Sequence, residues 1–472
     1  MLFDSLNYWV FFAVTIVVLA SLTDRASRVG LVIFSLIFYG CWNPWFVLLL
    51  GGSILANFGF GLWIEGAAVH RRKAAVTTAI AFNLSLLGFF KYSSLLVGTL
   101  GGLFRFQDPA FIAHIVLPVG ISFFTFEGIA YAVDIYRRQT PATRNLTNFA
   151  VFMSFFPHLI AGPIIRPANF FPQLEKRRSL TSEDTKWGLT QIIKGLLKKI
   201  VFADFFAPIA NDYFSHTAAT GSTIPAGIGV LAFTFQIYFD FAGYTDIARG
   251  CARLLGYDFP SNFERPYLSA NITEFWRRWH ISLSTWLRDY LYIPLGGNRA
   301  GAIRTYLNIL IVMFLGGLWH GASWNFALWG LYHGFLLLGH RLWSTRIKPR
   351  VNFAASAQAW KATKPLAVAF TFLVVVLGWI PFRAPDFSST LKVIRELNFG
   401  GVRPFLTSNP AFIVLVALPL FYCLIDPRRK TEKWVESRAS LFTTALLITI
   451  ALVVIEIFGQ FGLKVPFIYF QF

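Results

Sequence analysis

The sequence predicts an all-α, polytopic membrane protein, and three observations carry that prediction. Of 472 residues, 56% are hydrophobic and 14% charged, where soluble proteins carry roughly 25% charged residues. The apolar residues come in repeated runs long enough for membrane spans. The 42 Lys and Arg residues fall between those runs, as they do in loops held on the cytoplasmic face. In a soluble chain a net charge of +19 would suggest nucleic acid. Here membrane orientation explains it, and the partners it favours are membrane lipids and an anionic cytoplasmic ligand, with no nucleic acid. No polar stretch is long enough for a separate soluble domain, so residues 1–472 read as a single membrane domain. Cys41, Cys251 and Cys423 lie far apart in apolar surroundings, offering neither a disulfide framework nor a metal spacing.

The first apolar run, Tyr8 to Leu22, lacks a basic leader and a small-residue cleavage site, so it reads as a retained span ended by Arg25 and Arg28. Runs from Val29 to Cys41 and from Trp45 to Ile64 follow, turned by Asn43-Pro44. His70 to Lys73 returns the chain to the basic side. Runs from Ala75 to Val97 and from Phe111 to Val133 come next, closed by Arg137, Arg138 and Arg144. Phe156 to Leu174 carries Pro157, Pro163, Pro167 and Pro172, which forbid a regular spanning helix. Irregular backbone at membrane depth must be covered by protein or line a wet cavity, so this segment reads as re-entrant or interfacial. Lys176, Arg177 and Arg178 close it. Gln191 to Phe214 begins with Lys194, Lys198 and Lys199, and Ile224 to Gly250 carries Asp240 and Asp246. Further runs lie from Thr305 to Trp319, Ser323 to Leu342, Pro365 to Phe382, Ala411 to Ile425 and Leu441 to Phe461, with basic stretches from Arg346 to Lys364 and from Asp426 to Arg438. Placing every basic loop on one face takes about twelve crossings.

Asn262 to Tyr332 is the stretch richest in chemistry. Asn271 followed by Glu274 resembles a capping box, with Asn in place of the usual Ser or Thr. Set Phe275 to Tyr292 on a helical wheel at about 100° per residue. Phe275, Trp276, Trp279, Leu283, Trp286, Leu287, Tyr290 and Leu291 share one face, and Arg277, Arg278, Ser282, Ser284, Thr285, Arg288 and Asp289 the other. The pattern predicts a helix lying along the membrane surface, with Trp at headgroup level. His280 falls at the edge of the aromatic face. His320 sits in a segment apolar enough for lipid, where an ionisable side chain marks a functional site by default. Gly316, Gly317 and Gly321 around it allow close approach of a neighbouring helix or a narrow substrate. A packing histidine and a functional one both remain open for His280 and His320 on spacing alone. His320 and His333 are too far apart for a single-turn metal pair, so no metal site is predicted. No nucleophile elbow and no phosphate-binding Gly-rich loop occurs. A histidine serves as a general base with little help, since its unperturbed pKa is about 6.5.

RPYLSANITEFWRRWHISLSTWLRDYLYIPLGGNR, LGGLWHGASWNFALWGLYHG, PHLIAGPIIRPANFFPQL and the terminal PFIYFQF together resemble the membrane-bound O-acyltransferase (MBOAT) superfamily, in its bacterial alginate O-acetyltransferase branch. The resemblance runs from about Leu117 to the C-terminus, with a catalytic core over about 117–345. It implies a ring of about 11–12 tilted helices around a thinned centre, with a funnel from each face. It implies that His320, in the WHG triplet, and His280, in FWRRWHISL, are catalytic. The implied reaction moves an acetyl group from acetyl-CoA, a donor substrate rather than a bound cofactor. Arg277, Arg278, Arg288, Lys198 and Lys199 are candidates to meet its phosphates, with headgroup anchoring as the alternative for each. The branch implies a bacterial inner-membrane location, a polysaccharide acceptor such as alginate, cellulose or peptidoglycan, and a periplasmic acetyltransferase partner of the SGNH type. A D-alanyl-transferring branch shares the core motifs. A non-enzymatic transporter is the rival class, although the sequence has no obvious internal repeat.

Overall fold

The computed structural model describes residues 1, 3–104, 112, 115–160, 162–176, 179–216, 224–347, 357–397, 401–425, 433–434, 437–461 and 467–468, with backbone alone at 357–362 and 422–425. Outside the described residues lie Phe111, Arg177, Arg178, the basic stretches within 348–356 and 426–432, the Cys423 side chain and most of the terminal PFIYFQF. Helices and turns make up the described chain, which falls into two compact units: residues 1–192 with 244–260, and residues 193–243 with 261–472.

The first unit holds α1 (Leu6–Ala20), α2 (Asp24–Gly40), α3 (Pro44–Gly66), α4 (Val69–Leu87), α5 (Ser93–Phe104), α6 (Ile121–Tyr136), α7 (Leu146–Ser154), α8 (Pro167–Glu175) and most of α9 (Ser182–Leu196). Asn43 turns the chain as its spacing with Pro44 predicts: its side chain accepts the Trp45 N–H and Pro44 occupies the first turn of α3, where a missing N–H costs nothing. α3, α4 and α6 pack through polar side chains that find each other. Asn83 donates to Asn57 Oδ1 at 2.7 Å and Asn57 donates back at 3.2 Å. A side chain at Gly128 would stand 2.6 Å from that Asn57 oxygen, so α6 needs a glycine there. The segment from Phe156 is irregular as far as Arg166, where its described residues are buried or half-buried; from Pro167 it becomes the short helix α8, with Pro167 in the first turn and Pro172 inside. The Phe156 N–H donates to Ser35 Oγ at 3.2 Å. Two residues on, His158 shares a 2.9 Å hydrogen bond with Glu127, both fully buried. Arg25 and Arg28 follow α1, as expected, within the first two turns of α2, and Arg28 donates to the Leu174 carbonyl at 2.8 Å.

The second unit takes residues 193–243, with α10 (Asp204–His216) and the start of α11 (Ala226–Leu254). It continues with α12 (Ile272–Arg278), α13 (Ile281–Leu287), α14 (Gly301–His320), α15 (Trp324–Leu342), α16 (Ala357–Arg383), α17 (Phe387–Glu396), α18 (Val402–Ser408), α19 (Pro410–Ile425) and α20 (Leu441–Phe458). By length and composition, 6 described helices suit a membrane crossing, or 7 if the bent pair of α18 and α19 is one span. Counting basic loops suggested more, because hydropathy measures how apolar a run is and not what covers it. In α11, 83% of the apolar window is buried inside the protein. Other runs, such as α1, are too short to cross alone.

The surface helix expected over Phe275 to Tyr292 is not continuous. It breaks at Trp279-His280 into α12 and α13 and ends in a π-helical turn, Arg288–Tyr292. Its aromatic face also meets protein rather than headgroups. Trp279 is 1% exposed and packs on Phe263, Phe275 and Trp379 at ring separations of 5.1, 5.6 and 4.9 Å.

Candidate active site

The site is built on the α14–α15 hairpin, which packs unusually close. A Cβ at Gly317 would lie 2.2 Å from the Phe326 carbonyl oxygen, and one at Gly330 would lie 2.1 Å from that of Met313. Real Cβ atoms never approach so closely, so the glycines permit this crossing. The connection, Gly321 to Ser323, is equally constrained. A Cβ at Gly321 would meet the Phe326 ring at 2.1 Å. Ser323 then caps α15 by accepting the Asn325 N–H. These contacts leave His320 as the last residue of a 20-residue helix, 4% exposed.

Rings surround His320. Trp319 and Trp329 lie with centroids at 5.0 Å, and Phe382 of α16 at 5.3 Å. Asn325 holds α16 in place by donating to the Ala384 carbonyl at 2.9 Å.

His280 reaches the same place from the break between α12 and α13. Asn271 caps α12: its side chain accepts the Glu274 N–H at 2.9 Å, and Glu274 accepts the Ala270 N–H at 2.8 Å. The first bond is the one the spacing predicts; the return bond goes to Ala270, one residue before the N-cap Asn271, rather than to the N-cap N–H itself. The helix stops because the strand of chain after α11 takes its backbone groups. Ile281 N donates to the Asn262 carbonyl at 3.0 Å, Ser282 N to the Asn262 side chain at 3.2 Å, and Glu264 N to the Arg278 carbonyl at 2.9 Å. His280 therefore sits at φ +42°, a left-handed backbone that costs a non-glycine residue on the order of 1–3 kcal/mol. Its ring, fully buried, lies 4.7 Å from Phe241 and 6.3 Å from His320. Two histidines forty positions apart thus meet ring to ring.

The MBOAT, membrane-bound O-acyltransferase, family model matches residues 136–378, which include both histidines. The chain belongs to the membrane-bound O-acyltransferase family. It is 42% identical over 382 residues to a probable alginate O-acetylase of Pseudomonas aeruginosa, covering 80% of this chain and 71% of that one. It is 43% identical over 371 residues to the probable alginate O-acetylase of Azotobacter vinelandii, covering 78% and 72%. It is 37% identical over 398 residues to the peptidoglycan O-acetyltransferase of Helicobacter pylori, covering 78% and 73%. This protein is a multi-pass membrane O-acyltransferase.

The basic residues of this O-acyltransferase fall into different settings. Arg277 is exposed on α12. Arg278, half-buried, pairs with Glu274 one turn back. Arg288 is exposed and forks onto Asp289 at 2.6 and 3.1 Å. Lys198 is half-buried. Lys199 is buried, its ammonium 2.7 Å from Asp204 and 3.1 Å from Asp240. Asp240 also accepts the Ile468 N–H at 2.7 Å, which ties the described end of the chain to α11. Asp246, six positions further along that helix, faces Arg249 at 4.0 Å. Sequence reasoning missed Asp204 because i,i+5 is not a helical pair spacing. The π-helical segment Leu197–Ala203 adds a residue to the turn and brings the two side chains together. It also missed Trp329 and Phe382, which read as ordinary apolar positions.

Proposed function

We propose that this O-acyltransferase moves an acetyl group from acetyl-CoA on the cytoplasmic side of a bacterial inner membrane to the O-acetylation of an extracytoplasmic polysaccharide, alginate being the first candidate. The observation that carries this reading is the convergence of His280 and His320, two buried imidazoles with centroids 6.3 Å apart, inside an apolar protein. The names of the Pseudomonas and Azotobacter relatives support acetyl transfer and alginate. The Helicobacter relative favours peptidoglycan as the second acceptor to test.

In this mechanism His320 takes the proton of the acceptor hydroxyl as its oxygen attacks the thioester carbonyl. The tetrahedral intermediate collapses, the C–S bond breaks, and the proton passes to the departing thiolate. Thioester and alcohol become ester and thiol, and the histidine is regenerated. Proton transfer of this kind contributes roughly 10²–10⁴-fold. His280 positions the donor or relays the proton. Arg277, Arg278, Arg288 and Lys198 meet the phosphates of the donor. Lys199 we assign to its two carboxylates, since moving a buried ammonium onto phosphate would strand both. A periplasmic SGNH-type acetyltransferase receives the acyl group for delivery to polymer.

The test is thioester consumption by the purified protein in lipid nanodiscs with and without a hydroxyl acceptor. Acceptor-dependent release of free CoA supports the reading. Passage of intact substrate without thioester cleavage would make the protein a carrier.

A further inference from the structure

We infer that Trp329 and Phe382 form a π-lined seat for the imidazolium that His320 becomes while it holds the acceptor's proton. The inference rests on the proposal that His320 is the general base, and adds residues that lower the cost of its charged state. Both rings lie within cation–π range of the His320 ring, at 5.0 and 5.3 Å, against an upper limit of about 6 Å. Both stand steeply to it, at 87° and 66°, an edge-to-face arrangement, and the proposed seat takes the imidazole as the edge. Trp329 is 1% exposed and Phe382 2%, so little water screens the contact, and desolvated cation–π contacts are the strong ones.

A second feature acts in the same direction. His320 ends α14, where the last carbonyls of the helix place partial negative charge beside it. The seat is also rigid. Trp329 packs on Phe382 at 5.1 Å and on Trp379 at 5.9 Å. The close crossing at Gly317 and Gly330 fixes α15 against the end of α14.

The charge is transient. Before the proton moves the ring is neutral, and after the thiolate leaves with the proton it is neutral again. Stabilisation that exists only in between lowers the barrier without tightening substrate binding, so it belongs to kcat and not to KM. Trp329 and Phe382 act through His320 and are positioning residues in that sense.

The experiment replaces Trp329 with tryptophans carrying one to four ring fluorines, incorporated at that codon in the full-length protein. Fluorine withdraws π density from the indole face and barely changes its size. Measured in nanodiscs with acetyl-CoA, kcat is expected to fall stepwise, by about tenfold or more across the series, with KM for acetyl-CoA unchanged. Trp329→Phe is expected to keep more activity than Trp329→Leu. A flat or rising kcat overturns the inference, and a rise would mean that the indole edge faces the imidazole. His320→Ala is run in parallel. If that variant is inactive while the fluorine series is flat, only the seat is wrong. If it retains full activity, the base assignment fails and the seat fails with it.

Discussion

Gly330→Ala is the sharpest perturbation of the hairpin that presents His320. The added methyl would stand 2.1 Å from the Met313 carbonyl oxygen and 3.1 Å from Gly317 Cα. Both neighbours are backbone and cannot rotate away. Restoring ordinary van der Waals contact requires the helices to separate by about 1 Å. Overpacking of this kind costs about 1–3 kcal/mol. The separation also carries Trp329, one residue before Gly330, away from His320. Misplacement on the order of 1 Å in a catalytic constellation costs about 10²-fold. The control is Gly339→Ala on the same helix, where the new methyl meets nothing within 4 Å. Thermal unfolding in detergent and acetyl transfer in nanodiscs, measured on both variants, are the assays. Gly330→Ala is expected to lose both stability and about 10²-fold in rate, and Gly339→Ala neither. A Gly330→Ala protein with native stability and rate would refute the close crossing.

Lys199→Met leaves Asp204 and Asp240 facing each other in the interior, and breaking such a group costs about 3–5 kcal/mol. The unfolding midpoint should drop sharply, and an unchanged midpoint would contradict the buried bridge. Arg277→Gln should raise KM for acetyl-CoA about two- to fivefold with kcat preserved, the modest effect of an exposed charge, and an unchanged KM removes Arg277 from the donor site. Asp386 caps α17, and the Ser389 N–H at 2.7 Å holds its carboxyl below the usual carboxylate range, with the Ser388 hydroxyl assisting. Since its folded pKa is depressed, the cap contributes fully above about pH 4 and weakens as pH falls through the folded value. The wild type should therefore lose its stability advantage over Asp386→Asn in strongly acid buffer, and an advantage that persists there would refute the assignment.

Much of this was legible in the sequence because its causes are local. Asn43-Pro44 starts α3 with a cap and a favoured first-turn proline. Asn271 and Glu274 cap α12 with short-range hydrogen bonds. Pro157, Pro163, Pro167 and Pro172 exclude a regular spanning helix, and an irregular stretch to Arg166 followed by the short α8 is what forms. His320 stood out as an ionisable group in an apolar segment, whereas His280, at the edge of the aromatic face, was picked out only by the family resemblance. What was not legible depends on distant chain. Nothing between Trp279 and Ile281 breaks a helix by propensity; Asn262, eighteen residues upstream of His280, takes the backbone donors that would continue it. Lys199 read as one of three lysines on a basic helix end, and only the π-helical turn and the fold of α11 bring Asp204 and Asp240 to it. α17 and α18 were missed because one is polar and the other spans only a few residues. The aromatic face of α12 and α13 follows the interfacial pattern, but the same pattern serves a buried helix, and Phe263 and Trp379 are among the rings that cover it at Trp279.

The most direct measurement is acetyl transfer by the His320→Ala protein, purified and reconstituted beside wild type, with folding checked by its unfolding midpoint. A folded protein that binds acetyl-CoA and releases acceptor-dependent CoA at least about 10²-fold more slowly is the expected result. Wild-type turnover from that folded variant would contradict the role given to the WHG imidazole.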